Sequence, residues 1–200
     1  LGNVCLADYT ADMLHPTDLG HKMIADLICN LLDTEYSYYK KLGAEKKPSL
    51  PEPFTASRYE DAQRFQNYSC SPVMEGFEPD THAAEQWSDP FKGGWIAHKQ
   101  GSCIKFNVSG SIIMLQYRKT INKPAPVAYA VIDGDRQNKV LLDANFDEDW
   151  GDLCCLDEIY SGAKGEHTVE IVIDTEGKEN SDFMLISCLL YTSPSPRDRG

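Results

Sequence analysis

Apolar residues near the start of the chain follow a helical rhythm. Leu19, Met23, Ile24, Leu27, Ile28, Leu31 and Leu32 recur at steps of three, four and one. That spacing lines one face at a 3.6-residue period and predicts an amphipathic helix from Thr17 to about Asp33. Thr17 suits the N-cap, and Asp18 suits the positive end of the helix dipole. Pro16, just before the cap, has no amide proton in need of a partner. A short helical extension is expected to run to Leu42.

The rhythm then breaks. Gly43, Pro48, Pro51 and Pro53 mark a linker, so residues 34–57 read as a helical extension followed by an extended connection. From about residue 58 the period becomes two. Ile104, Phe106 and Val108 alternate with Lys105 and Asn107, and Val169, Ile171 and Ile173 do the same further on. Ile112–Tyr117, Val127–Ile132, Val140–Leu142 and Phe183–Ile186 are short apolar runs, and Asp133-Gly134 is a hairpin-turn pair. Short strands with turn residues between them predict an antiparallel β-sandwich of jelly-roll character over residues 58–187.

Composition narrows the partners. The chain carries 19 Lys and Arg against 31 Asp and Glu, a formal charge of −12. A surface this acidic repels phosphate backbones, so no nucleic-acid partner is expected. Neither a basic cluster nor a run of roughly 20 apolar residues points to a membrane. The seven cysteines include no CxxC pair, so reduced thiols and no structural metal are expected, with a lean towards a cytoplasmic setting. The first residue is Leu rather than Met, so a secreted parent with a longer N-terminus stays open. The sequons at Asn67 and Asn107 are short enough to arise by chance.

The candidate chemistry lies in Asp12-Met-Leu-His15-Pro16. A serine hydrolase needs a hydroxyl nucleophile, an imidazole to take its proton and a carboxylate to orient the imidazole. A carboxylate three residues before a histidine on one loop can fold back on it. It then accepts the Nδ1 proton and leaves Nε2 for the nucleophile. The plainer alternative is a helix-entry loop with a capping carboxylate. A metal site from Asp12, His15 and His21 lacks further ligands.

Asp12-Met-Leu-His15-Pro16-Thr-Asp-Leu-Gly20-His21 is similar to the last conserved block of the SGNH (GDSL-like) serine esterases. The resemblance covers about the first 33 residues. It implies that Asp12 is the orienting acid and His15 the general base, that no cofactor is needed, and that the substrate is an acylated small molecule or carbohydrate. It also implies that residues 1–33 are the last loop and helix of a flavodoxin-like α/β domain. The nucleophilic serine of that family sits in an early Gly-Asp-Ser block absent from this sequence, so the 200 residues alone are expected to be inactive.

Residues 58–187 resemble the β-sandwich modules attached to bacterial SGNH esterases, including carbohydrate acetylesterases. The resemblance rests on Gly94-Trp95, Gly101 to Phe106, Ile132-Asp133-Gly134 and Gly165 to Ile171. Trp87, Trp95 and Trp150 are candidates to stack on sugar rings, with burial in a core as the alternative. Asp147 to Asp152 is an acidic loop, read as solvated rather than as a calcium site. A non-catalytic carbohydrate-binding or structural module is the rival reading of the whole chain. Finally, Cys188 to Asp198 resembles a translated sequencing adapter, which implies a tail without biology over residues 188–200.

Overall fold

The computed structural model describes residues 5–41, 62–83, 89–179 and 181–191. The chain divides into two compact units, Leu1–Pro53 and Phe54–Gly200.

The first unit is helical. A one-turn helix α1, Leu6–Tyr9, precedes α2, Asp18–Lys41. α2 does not stop at Asp33 as its apolar period suggests. Residues 34–41 carry few aliphatic side chains to display a period, yet none of them breaks a helix. Lys40 and Lys41 sit in the last turn, where the dipole favours cations, and Lys40 lies 4.7 Å from the Tyr36 ring centre one turn back. Residues 42–57 of the expected linker lie outside the described residues.

The second unit is an antiparallel β-sandwich. Its strands are β1 (Gln63–Phe65), β2 (Val73–Glu75), β3 (Phe77–Pro79), β4 (Trp95–Ala97), β5 (Cys103–Lys119), β6 (Val127–Ile132), β7 (Val140–Asp143), β8 (Leu153–Thr175) and β9 (Phe183–Tyr191). The main path runs β3-β4-β9-β5-β8-β6-β7, with β1 beside β9 and β2 beside β5.

Two long strands build both layers. The runs Ile104–Val108 and Ile112–Tyr117, expected as separate strands, are one strand, β5, paired with β8 over nearly its full length. The register with β8 shifts between Gly110 and Ile112 and by one further residue between Ile113 and Met114, and the buried set of β5 changes parity across this stretch. Ile104, Phe106 and Val108 point inward before the shift, and Ile113, Leu115 and Tyr117 after it. An extra residue in one strand flips the side chains beyond it to the other face, so the ribbon can bend and keep its apolar groups inside. The first half of β5 joins β2, and the second half joins β9. Trp95, carried by the β4–β9 layer, meets Phe106 of the other half edge to face at 5.1 Å. Tyr117 and Phe183 stack at 5.8 Å beside it.

The hairpin expected at Asp133-Gly134 is present: both residues have positive φ, and β6 and β7 pair around it. A 3₁₀ turn, Arg136–Asn138, lengthens the connection. At the other end of the chain, β9 runs past residue 187. Cys188 and Leu190 are buried, and Leu189 and Leu190 pair with β1 and β5. The sandwich therefore extends to Tyr191, because Cys-Leu-Leu-Tyr continues the strand rather than starting a loose tail. The rest of that tail lies outside the described residues.

Candidate active site

The Asp12–His15 loop is clamped at its base. Thr10 and Pro16 form an antiparallel bridge, and the Thr17 amide donates to the Tyr9 carbonyl at 2.8 Å. The Thr17 hydroxyl donates to the Asp8 carbonyl at 2.7 Å and accepts the Gly20 amide at 3.2 Å. Thr17 is thus the N-cap of α2 and also ties that helix to the end of α1. Gly20 permits the close approach: a Cβ there would stand 2.3 Å from the Tyr9 carbonyl oxygen. Sequence reasoning matched Gly20 to its motif but gave it no task.

Inside the clamp, Asp12 organises the turn. Its Oδ1 accepts the amides of Leu14 at 2.9 Å and His15 at 2.7 Å, and the Thr10 hydroxyl at 3.3 Å. Its Oδ2 lies 2.6 Å from His15 Nδ1. The hydrogen bond from the His15 side chain, followed by those from the His15 and Leu14 amides, holds the Asp12 carboxyl far below the usual carboxylate range. An ionised carboxylate only accepts, so Nδ1 carries the proton and Nε2 presents its lone pair. The imidazole is 78% exposed, and Nε2 makes no hydrogen bond among the described residues. A base held in this tautomer is ready to take a proton from a hydroxyl that approaches Nε2.

The turn demands one unusual conformation. Met13 has φ of 64°, the left-handed region. That geometry crowds Cβ against the next carbonyl and costs about 1–2 kcal/mol for a residue other than glycine. It lets the two amides after Met13 converge on the side chain before it. Nothing in the hydrophobic pattern signals this.

The other candidates separate. Trp95 does not stack on sugar: it is 1% exposed and belongs to the core, where its indole packs on Phe106. Trp87 lies outside the described residues. Trp150 is 63% exposed and meets Phe146 edge to face at 5.1 Å. In the acidic loop around it, Asp147 pairs with Lys123 and Asp152 with Arg118. No group of three metal-ligating acidic, histidine or cysteine side chains occurs among the described residues. The Asn67 side-chain amide donates to the Asp80 and Gly94 carbonyls, each at 2.8 Å, so that sequon is used structurally. No described helix is long and apolar enough to cross a membrane.

No family model matches the chain, and no curated protein does. Two solved structures match it closely. A two-domain esterase active on acetylated mannans shares 37% identity, with a TM-score of 0.84, over 97% of this chain and 53% of that one. A two-domain esterase active on acetylated mannans co-crystallised with mannopentaose shares 38% identity, with a TM-score of 0.81, over 97% of this chain and 51% of that one. The chain therefore fits the C-terminal esterase part and β-sandwich of the two-domain carbohydrate esterases, and it spans about half of their length.

Proposed function

We propose that the chain supplies the acid and the base of a serine ester hydrolase that removes acyl groups from carbohydrate. The carrying observation is the 2.6 Å contact between Asp12 Oδ2 and His15 Nδ1, with Oδ1 fixed by two backbone amides. The serine comes from the part of the esterase that this chain does not match. His15 Nε2 takes the serine hydroxyl proton as the oxygen attacks the ester carbonyl. The same nitrogen returns the proton to the departing sugar alcohol, and water then releases the acid by the reverse exchange. Asp12 keeps the tautomer and stabilises the imidazolium formed in between. This needs no cofactor. The mannan activity of the similar esterases supports an acetylated polysaccharide or oligosaccharide as substrate. In the full-length enzyme, His15→Ala should abolish hydrolysis of acetylated mannan and leave the circular dichroism unchanged. Retained activity would end this reading.

A second reading concerns the sandwich alone. The exposure of Trp150 on its Phe146 support favours a sugar-stacking contact there. Trp150→Ala should weaken retention on mannan by about tenfold, since stacked aromatics contribute on the order of 1 kcal/mol or more. Unchanged retention would leave the sandwich as a structural module.

A further inference from the structure

Thr10 stands where the base of the clamp meets the acid. Its amide donates to the Leu6 carbonyl at 3.1 Å and closes α1, and its backbone bridges to Pro16 on the far side of the loop. Its hydroxyl makes one hydrogen bond among the described residues, to Asp12 Oδ1 at 3.3 Å. The other two donors to that oxygen are the Leu14 and His15 amides, which belong to the turn that Asp12 itself organises. Those amides travel with the carboxylate if the turn swings on its base. Thr10 does not, because α1 and Pro16 hold it. Among the described residues it is the one side chain besides His15 that hydrogen-bonds to Asp12.

The chemistry needs such a tie. Oδ2 must stay on His15 Nδ1 while the imidazole gains and loses its proton. The torsion that turns a carboxylate is broad, so the group rotates readily unless its oxygens are held. A hydroxyl on Oδ1 from the residue before the turn, added to the two amides after it, opposes that rotation and fixes which oxygen faces the ring. The acceptor is ionised, which strengthens the bond. At 3.3 Å it is long, as hydrogen bonds in unliganded catalytic sites often are before they tighten in the reaction. We infer that Thr10 is a positioning residue: its hydroxyl fixes the Asp12 carboxylate to the clamp and through it aligns His15. This rests on the reading of Asp12 and His15 as acid and base.

The test compares Thr10→Val and Thr10→Ser in the full-length esterase, on acetylated mannan. Valine removes the hydroxyl and keeps the branched shape, which the extended backbone at Thr10 (φ −150°, ψ 127°) accepts. Thr10→Val should lower kcat about fivefold, the scale of one weak hydrogen bond to a charged group, and leave KM within about twofold. Thr10→Ser keeps the donor and should restore kcat to within about twofold of the parent. In an Asp12→Ala background, adding Thr10→Val should cost nothing further in kcat/KM, because the group it acts through is gone. An unchanged kcat in Thr10→Val overturns the inference, and so does a Thr10→Ser enzyme as slow as Thr10→Val. An equal loss in both backgrounds overturns it too, since the effect would then lie in the fold of the clamp. The two claims separate at Asp12→Ala alone: if that enzyme is as active as the parent, the acid–base reading itself fails, whatever Thr10 does.

Discussion

The helical unit and the β-sandwich obtain their order from different forces. Among residues 5–41 only Gly20 is buried, and the apolar face of α2 from Leu19 to Leu32 is exposed along its length. The shape of the Asp12–His15 loop comes from hydrogen bonds: Thr10 to Pro16, Thr17 to Asp8 and Tyr9, and Asp12 to its own turn. The sandwich has a continuous apolar core from Trp95 and Phe106 to Phe183 and Leu185. The lesson is that the proposed acid and base sit where directional polar contacts set position, and the stability sits where side chains pack.

That contrast can be broken most severely at the polar end. Asp12→Asn in the full-length esterase should lower kcat/KM by about 10⁴, because an amide can hold the imidazole in the wrong tautomer. The sandwich should melt where it did before. Steady-state kinetics and calorimetry check this together, and a loss well under a hundredfold would mean that Asp12 only caps the turn.

In the sandwich, the matching change is Gly94→Ala. A Cβ there would stand 2.0 Å from the Leu185 carbonyl oxygen and 2.7 Å from Ile186 Cα. Backbone must move, so a loss of about 3 kcal/mol or more is expected. Urea unfolding followed by tryptophan fluorescence reads it, since Trp95 is in the core.

Gly20→Ala is smaller and sharpens the comparison. The added methyl pushes α2 from the Tyr9 carbonyl and shifts the loop by a few tenths of an ångström or more. Catalysis is sensitive to such displacement, so kcat should fall roughly ten- to a hundredfold. Unaltered kcat would show that the clamp does not position the histidine.

The smallest effect is one of pH. Partial burial pulls the His98 pKa down, but its hydrogen bond and charge pairing with Asp182, joined by Glu78 at 3.5 Å, outweigh this and leave it raised above 6.5. A raised folded-state value means the stabilisation is fully present below the unfolded pKa of about 6.5 and disappears as pH rises through the folded value. His98 is half exposed, so the effect should be at most about 1 kcal/mol. Unfolding midpoints from pH 6 to 9 should show it in the parent and not in His98→Asn.

These regions also differed in how much could be read from residues alone. The Asp12–His15 spacing and the Thr17 cap were legible, because both follow from local chain geometry. The left-handed Met13 and the close packing of Gly20 were not, because they depend on where α1 ends in space. In the sandwich, the alternation of Ile104–Val108 and Val169–Ile173 marked strands that are buried on one face. The bend of β5 at Gly110 and the three-residue strands β1 to β4 were hidden, since neither carries a period long enough to see. Trp95 and Trp150 look alike in sequence. Only the pairing of β4 with β9 puts the first in the core.

The central claim is that Asp12 and His15 act as one unit, and a double-mutant cycle tests it most directly. Measured as kcat/KM on acetylated mannan in the full-length esterase, Asp12→Ala combined with His15→Ala should be no slower than His15→Ala alone, because residues of a triad fail together. Losses that simply add, or a His15→Ala enzyme whose kcat/KM stays near the parent's, would contradict the account.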